Sequence, residues 1–105
     1  MKDFNEGQRE RIRERVIQAL QEEREGPSPF KDLYSITNDK ENYLHVVDIG
    51  TSVLCAKWEI GYKPGGFVQA LVDNDLFGAF RRGDSVNVNC IGFYVKLMES
   101  IGYID

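Results

Sequence analysis

The sequence has few of the residues that cross-link a chain, bind metals or break helices. Its 105 residues include two cysteines, three prolines and one histidine. Cys55, Cys90 and His45 cannot supply the four ligands of a structural zinc site. Both cysteines lie among apolar neighbours, a pattern typical of buried, reduced thiols. The sequence therefore gives no reason to assign a metal, a cofactor or a catalytic residue.

Long apolar runs and an excess of basic residues are also missing. No stretch approaches the ~20 apolar residues that a membrane-spanning helix needs, and the charged amino terminus lacks a signal-peptide core. The formal charge is −4, whereas domains that bind nucleic acid usually carry a basic excess. We therefore expect a cytoplasmic protein without membrane contact, and the charge disfavours nucleic acid as a partner.

The amino-terminal segment is rich in residues that favour helices. Ile12, Val16 and Leu20 form a narrow apolar stripe, which predicts a long helix with one docked face. Four arginines of this segment are a candidate surface for a partner: Arg9, Arg11, Arg13 and Arg15. Residues 1–26 hold six basic and seven acidic side chains, which favours a solvated, salt-bridged face over a phosphate-binding one.

The sequence predicts three parts of the chain, and two prolines mark the end of the first. Gly26-Pro27-Ser28-Pro29 ends the first helix, because the residue before a proline is driven out of the α region. We expect a charged helix over residues 1–26, a linker or loop over 27–42 with one helical turn near Phe30, and a compact core over 43–105.

The start of this core contains a strand signal. Tyr43 to Ile49 is rich in β-branched residues and lies between Asn42 and Gly50, which predicts a strand. Residues 53–58 are either its hairpin partner or a short helix that ends at Gly61. The sequence therefore leaves two fold classes possible: an α+β fold with a small β-hairpin over 43–58, and a mainly α fold.

Two further helices are predicted in the carboxyl-terminal half. The apolar spacing from Gly66 indicates a largely buried helix that ends at Arg82, with Gly83 in the left-handed position just beyond it. Asp84 or Ser85 then caps a second helix, and a strand over residues 86–90 is the alternative. The pair would form a helical hairpin, which makes the predicted fold mainly α.

Residues 61–95 resemble a pattern found in small, mostly uncharacterised proteins of tailed bacteriophages and prophages. The pattern runs Gly-x-x-Pro-Gly-Gly-Phe, Asn-Asp-Leu and Arg-x-Asp-x-x-Asn. The matching positions are Gly61, Pro64, Gly65, Gly66, Phe67, Ala70, Asn74, Asp75, Leu76, Ala79, Arg82, Asp84 and Asn87. Gly83 stands where the pattern usually has alanine, and residues 1–42 have no counterpart in it.

The resemblance implies a non-enzymatic protein of the host-cell cytoplasm that binds a host or phage protein, in host takeover or counter-defence. Asp75 and Arg82 are two helical turns apart, so they can pair. We expect a structural polar network or a partner surface made of Asn74, Asp75, Arg82, Asp84 and Asn87, with residues 61–67 as its leading turn. A nucleic-acid-associated regulator, a small enzyme with a cysteine nucleophile, and a homo-oligomer are the other hypotheses.

Overall fold

The structure is a computed structural model that describes residues 6–61 and 63–105. Its helices are α1 (Glu6–Glu25), α2 (Lys31–Thr37), α3 (Lys40–Lys57), α4 (Gly66–Val72), α5 (Leu76–Arg82), α6 (Ser85–Asn89) and α7 (Ile91–Ser100). The mainly α class and the long amino-terminal helix are therefore confirmed. No helix in this described part is long and apolar enough to cross a membrane.

Helix α3 lies at the centre and packs against α1, α2, α4, α6 and α7. It contributes fully buried side chains such as Val46, Val53 and Leu54 to the core. At Gly50 the neighbouring helices come very close, because a Cβ there would lie 2.9 Å from Val16 Cγ1 of α1 and 3.0 Å from Leu97 Cδ1 of α7. A side chain at this position would push both helices away.

The strand predicted over Tyr43 to Ile49 is wrong, because these residues form the amino-terminal half of α3. The β-hairpin over 43–58 is likewise absent, and residues 53–57 continue the same helix. Asp39 starts α3 by accepting a hydrogen bond from the backbone N–H of Asn42, over 3.0 Å. The β-branched side chains are accommodated because burial among five helices outweighs their weak preference for strands.

Helix α1 belongs to the same core. Its predicted apolar stripe of Ile12, Val16 and Leu20 is fully buried. Near its carboxyl end, Glu23 accepts a hydrogen bond from the ammonium group of Lys96 on α7. The segment 27–42, expected to be a loop with one helical turn, contains the two-turn helix α2 and the first residues of α3.

Each of the two helices predicted in the carboxyl-terminal half is broken into two. The first break is at Asn74, which has a φ of 60°. The N–H of Asp75 donates to the Ala70 carbonyl over 2.8 Å, and the N–H of Asn74 donates to the Leu71 carbonyl over 3.1 Å. These two bonds form a Schellman motif, so the chain reverses here and α4 and α5 make a tight hairpin.

Gly83 is not in the left-handed conformation predicted for it, since its φ is −83° and its ψ is 147°. A glycine is needed there for space, because a Cβ would lie 2.8 Å from two carbons of the Phe67 ring. Asp84 caps α6, which shows that the helical interpretation of residues 85–89 is right and the strand alternative is wrong. Helix α6 ends at Cys90, where α7 begins.

Candidate functional site

Several residues of the Gly-x-x-Pro-Gly-Gly-Phe, Asn-Asp-Leu and Arg-x-Asp-x-x-Asn pattern contact one another in the α4–α5 hairpin. Asp75 Oδ1 accepts a hydrogen bond from the Gly78 N–H over 3.0 Å, which caps α5. Its other oxygen, Oδ2, lies 3.8 Å from Arg82 Nη1. Both side chains are about half exposed, so this ion pair alone contributes little stability, typically ~0–1 kcal/mol.

Two glycines provide the space in which Arg82 lies. A Cβ at Gly78 would stand 2.2 Å from Asp75 Oδ2 and 2.6 Å from Arg82 Nη1. A Cβ at Gly66 would stand 2.9 Å from Arg82 Cδ, which also shows that the start of α4 lies beside the end of α5. Gly66 belongs to the pattern and Gly78 does not, so the spacing of Gly66, Asp75 and Arg82 in the pattern has a direct structural use.

Asp84 and Asn87 form a second cluster with two residues outside the pattern's polar set. Asp84 Oδ1 accepts a hydrogen bond from the Asn87 N–H over 2.8 Å, and its Oδ2 lies 3.3 Å from His45 Nε2 on α3. Asn87 Oδ1 accepts a hydrogen bond from the hydroxyl of Tyr94 over 3.2 Å. Among the described residues, no hydrogen bond or ion pair connects this cluster to the Asp75–Arg82 pair.

The two thiols have the properties of core residues. Burial, together with the nearby carboxylates of Asp84 and Asp32, raises the pKa of Cys90 to about 11. Burial also raises the pKa of Cys55, although the Arg9 guanidinium acts in the opposite direction. Because the nucleophile in cysteine chemistry is the thiolate, raised pKa values disfavour the hypothesis of a cysteine nucleophile.

The four arginines of α1 do not share one face. Residues two apart on a helix point about 200° apart, so Arg9 and Arg13 lie roughly opposite Arg11 and Arg15. Their contacts diverge accordingly: Arg9 with the Cys55 sulfur at 3.6 Å, Arg11 with the Asp105 carbonyl at 2.8 Å, Arg13 with Asp48 at 3.7 Å and Arg15 with Glu22 at 3.6 Å. This arrangement does not form the continuous basic surface that phosphate binding requires.

Helix α5 exposes an apolar face, although the sequence predicts that this part of the chain lies in a largely buried helix. Phe77 is 87% exposed, Leu76 is 52% exposed and Phe80 is 51% exposed. The apolar spacing predicts one continuous helix through Asn74, but the reversal at Asn74 starts a new helix with a new orientation. The signal that could have revealed this face is the Asn74-Asp75 pair, which combines a residue suited to a left-handed position with a helix cap.

Within the described residues, no group of three His, Cys, Asp or Glu side chains could hold a metal ion. Comparisons with known protein families, curated proteins and solved structures gave no match.

Proposed function

We propose that this protein is a non-enzymatic interaction protein of phage type, and that it binds a partner protein through the exposed face of α5. The observation that supports this proposal is the cluster of Leu76, Phe77 and Phe80 on one short helix. Neighbouring exposed aromatic and aliphatic side chains are costly in water, and large aromatic residues dominate the binding energy of many interfaces. Their burial against a partner is a sufficient reason for their exposure here.

The charge beside this face indicates the chemistry of the partner. Arg81 is exposed and has no ion-pair partner among the described residues, and α5 contains no acidic residue. The protein as a whole has a formal charge of −4, so this apolar and basic surface differs from the rest. A partner surface with an apolar centre and carboxylates at its edge would complement it.

The resemblance to phage proteins fits this proposal. Gly66, Asp75 and Arg82 stabilise the hairpin that carries the α5 face, so the shared pattern would preserve the presentation of a surface. Apart from Leu76, which belongs to the pattern, the residues on that surface can then differ from one protein to another. Such a protein would act in the cytoplasm of the host, in host takeover or counter-defence.

The test is site-specific photo-crosslinking in the native host. A photo-reactive amino acid is placed at position 77 in one variant and at position 34 in another, because Tyr34 is also an exposed aromatic residue but lies on α2. We expect position 77 to capture one protein that position 34 does not. The captured protein is then purified, and its affinity for the unmodified chain is measured by calorimetry.

The expected effect of Phe77→Asp is at least a thirtyfold loss of affinity, about 2 kcal/mol, the usual threshold for an interface hot spot. Tyr34→Asp is the matched control and should bind as the unmodified chain does. Equal affinities of the two variants would contradict the proposal. A crosslink from position 77 to a second copy of the chain would contradict it as well, because the occupant would then be this protein itself.

A further inference from the structure

We propose a second site, independent of the α5 face: a pocket between α1, α3 and the loop after α3 that binds a small organic anion. The pocket is open and has a volume of about 460 Å³. Its polar lining comes from Arg9 of α1, from Ser52 and Cys55 of α3, and from Lys63 of the loop. Pockets of this size are typical for small ligands and cofactors.

The charge of the pocket is unusual for this protein. Two cations line it, and none of its described lining residues is acidic. Neither Arg9 nor Lys63 has a carboxylate at ion-pair distance among the described residues, whereas Arg13, Arg15, Arg82 and Lys96 each have one. In a chain with a formal charge of −4, two cations that line one pocket without a carboxylate at ion-pair distance create a local attraction for an anion.

Among the described residues, the Arg9 side chain makes one polar contact, which leaves donors for a ligand. Its Nη1 donates to the sulfur of Cys55 over 3.6 Å. Burial keeps that thiol in its neutral form, so the contact does not neutralise the guanidinium. Arginine has five N–H donors in a planar arrangement that suits carboxylate and phosphate oxygens. The donors not used by Cys55 are available to such an anion.

The other residues that line the pocket indicate which chemical groups the ligand has in addition to its negative charge. Ala56, Ile60 and Pro64 provide apolar surface next to the two cations, and Ser52 offers a hydroxyl group. An inorganic ion would use only the polar side of this pocket. A carboxylate or phosphate group attached to a small apolar body would use both sides, since burying apolar surface contributes about 25 cal/mol per Å².

The proposal can be tested with four simple probes: phenyl phosphate, benzoate, inorganic phosphate and the neutral benzyl alcohol. Binding is followed by calorimetry and by amide chemical shifts in NMR spectra of the ¹⁵N-labelled protein at low salt. We expect phenyl phosphate, benzoate or both to shift the amides of Arg9, Ser52 and Lys63, and benzyl alcohol to leave them unchanged. The two aromatic anions distinguish a phosphate ligand from a carboxylate ligand, and inorganic phosphate measures the contribution of the anionic group alone.

Four variants test whether Arg9 and Lys63 are responsible for binding the anion. Arg9→Gln and Lys63→Gln should each weaken binding about tenfold or more, because a hydrogen bond to a charged group is lost. Arg81→Gln and Lys31→Gln remove the same charges outside the pocket and should bind as the unmodified protein does. Circular dichroism checks that each variant is folded, and Lys63 is an exposed loop residue whose replacement leaves the helices intact.

Two results would overturn the proposal. One is the absence of chemical-shift changes in the pocket with every probe at millimolar concentration. The other is binding that all four variants weaken equally, which would show attraction to overall charge rather than to this pocket. Stronger binding of inorganic phosphate than of both aromatic anions would also contradict it, since the apolar lining of the pocket would then contribute nothing to the affinity.

Discussion

The hydroxyl of Tyr94 on α7 donates a hydrogen bond to Oδ1 of Asn87 on α6, over 3.2 Å. Tyr94 is fully buried, and Asn87 is only 6% exposed. The backbone N–H of Asn87 is bound by Asp84, which also faces His45 of α3. A single series of polar contacts therefore connects three helices, from the buried Tyr94 hydroxyl to the partly exposed side chains of Asp84 and His45. The hydrogen bond from Tyr94 explains the burial of the Asn87 amide.

Replacing Asn87 by leucine should destabilise the protein by about 1–3 kcal/mol, because it leaves the buried Tyr94 hydroxyl without a partner. The double variant Tyr94→Phe/Asn87→Leu should be more stable than Asn87→Leu alone, since both polar groups are then removed. Urea denaturation measures both differences. Asn89→Leu is the matched control on the exposed side of α6 and should change stability by less than about 0.5 kcal/mol. If the double variant is no more stable than Asn87→Leu, the lost hydrogen bond is not the source of the destabilisation.

Gly83→Ala should also destabilise the protein, by about 1–3 kcal/mol, because the added methyl group would overlap the Phe67 ring. If the cause is this overlap, Phe67→Leu should cost less stability in the Gly83→Ala background than in the unmodified protein. Thermal and urea unfolding of the four combinations give this coupling energy directly. Gly102→Ala is the control, because nothing lies within 4 Å of a Cβ there. Additive effects of the two substitutions would contradict the overlap.

The case of Gly83 shows what the sequence could establish and what it could not. The pattern of apolar and capping residues predicts that a helix ends near Arg82 and that another begins at Asp84, and both are correct. It cannot tell whether a glycine is there for its backbone freedom or for its small size. The left-handed position is taken by Asn74 instead, where the sequence indicated only a polar interruption.

The strand prediction failed for a related reason. Val46, Val47 and Ile49 favour a strand when they lie on a half-buried sheet, but here α3 is surrounded by helices that bury Val46 and Val47 fully and Ile49 partly. Composition within a short window does not contain that information. The pocket beside Arg9 was equally beyond reach, because Arg9 and Lys63 lie far apart in the sequence and only the packing of α1 on α3 brings them to one pocket.

Glu59→Gly should stabilise the protein by about 0.5–1 kcal/mol. Glu59 has a φ of 56°, in the left-handed region just after α3, where a side chain costs roughly 1–2 kcal/mol relative to glycine. The greater freedom of glycine in the unfolded chain offsets part of this gain. Urea denaturation of Glu59→Gly and of Glu59→Gln separates backbone strain from charge. An equal gain in the glutamine variant would contradict the strain argument.

The contact between Glu23 and Lys96 should make stability depend on pH. Burial alone would raise the pKa of Glu23, but hydrogen bonds from Lys96 and Ser28 and the charge of Lys96 outweigh it, so the folded pKa lies below the ordinary value of 4.5. A lowered folded pKa stabilises the native state above the unfolded pKa, and this contribution is lost as the pH falls through the folded value.

Lys96→Gln should therefore destabilise the protein by about 1 kcal/mol at pH 7, because it removes a charged partner from a largely buried carboxylate. The difference from the unmodified protein should shrink as the pH falls through the lowered folded pKa of Glu23, because the carboxyl group then becomes protonated in both proteins. Urea denaturation between pH 3 and pH 7 measures this trend, with Lys31→Gln as the exposed control that should show no such change. A destabilisation that is the same at both ends of the range would place its cause in the packing of the Lys96 methylenes, because only the interaction with Glu23 disappears on protonation.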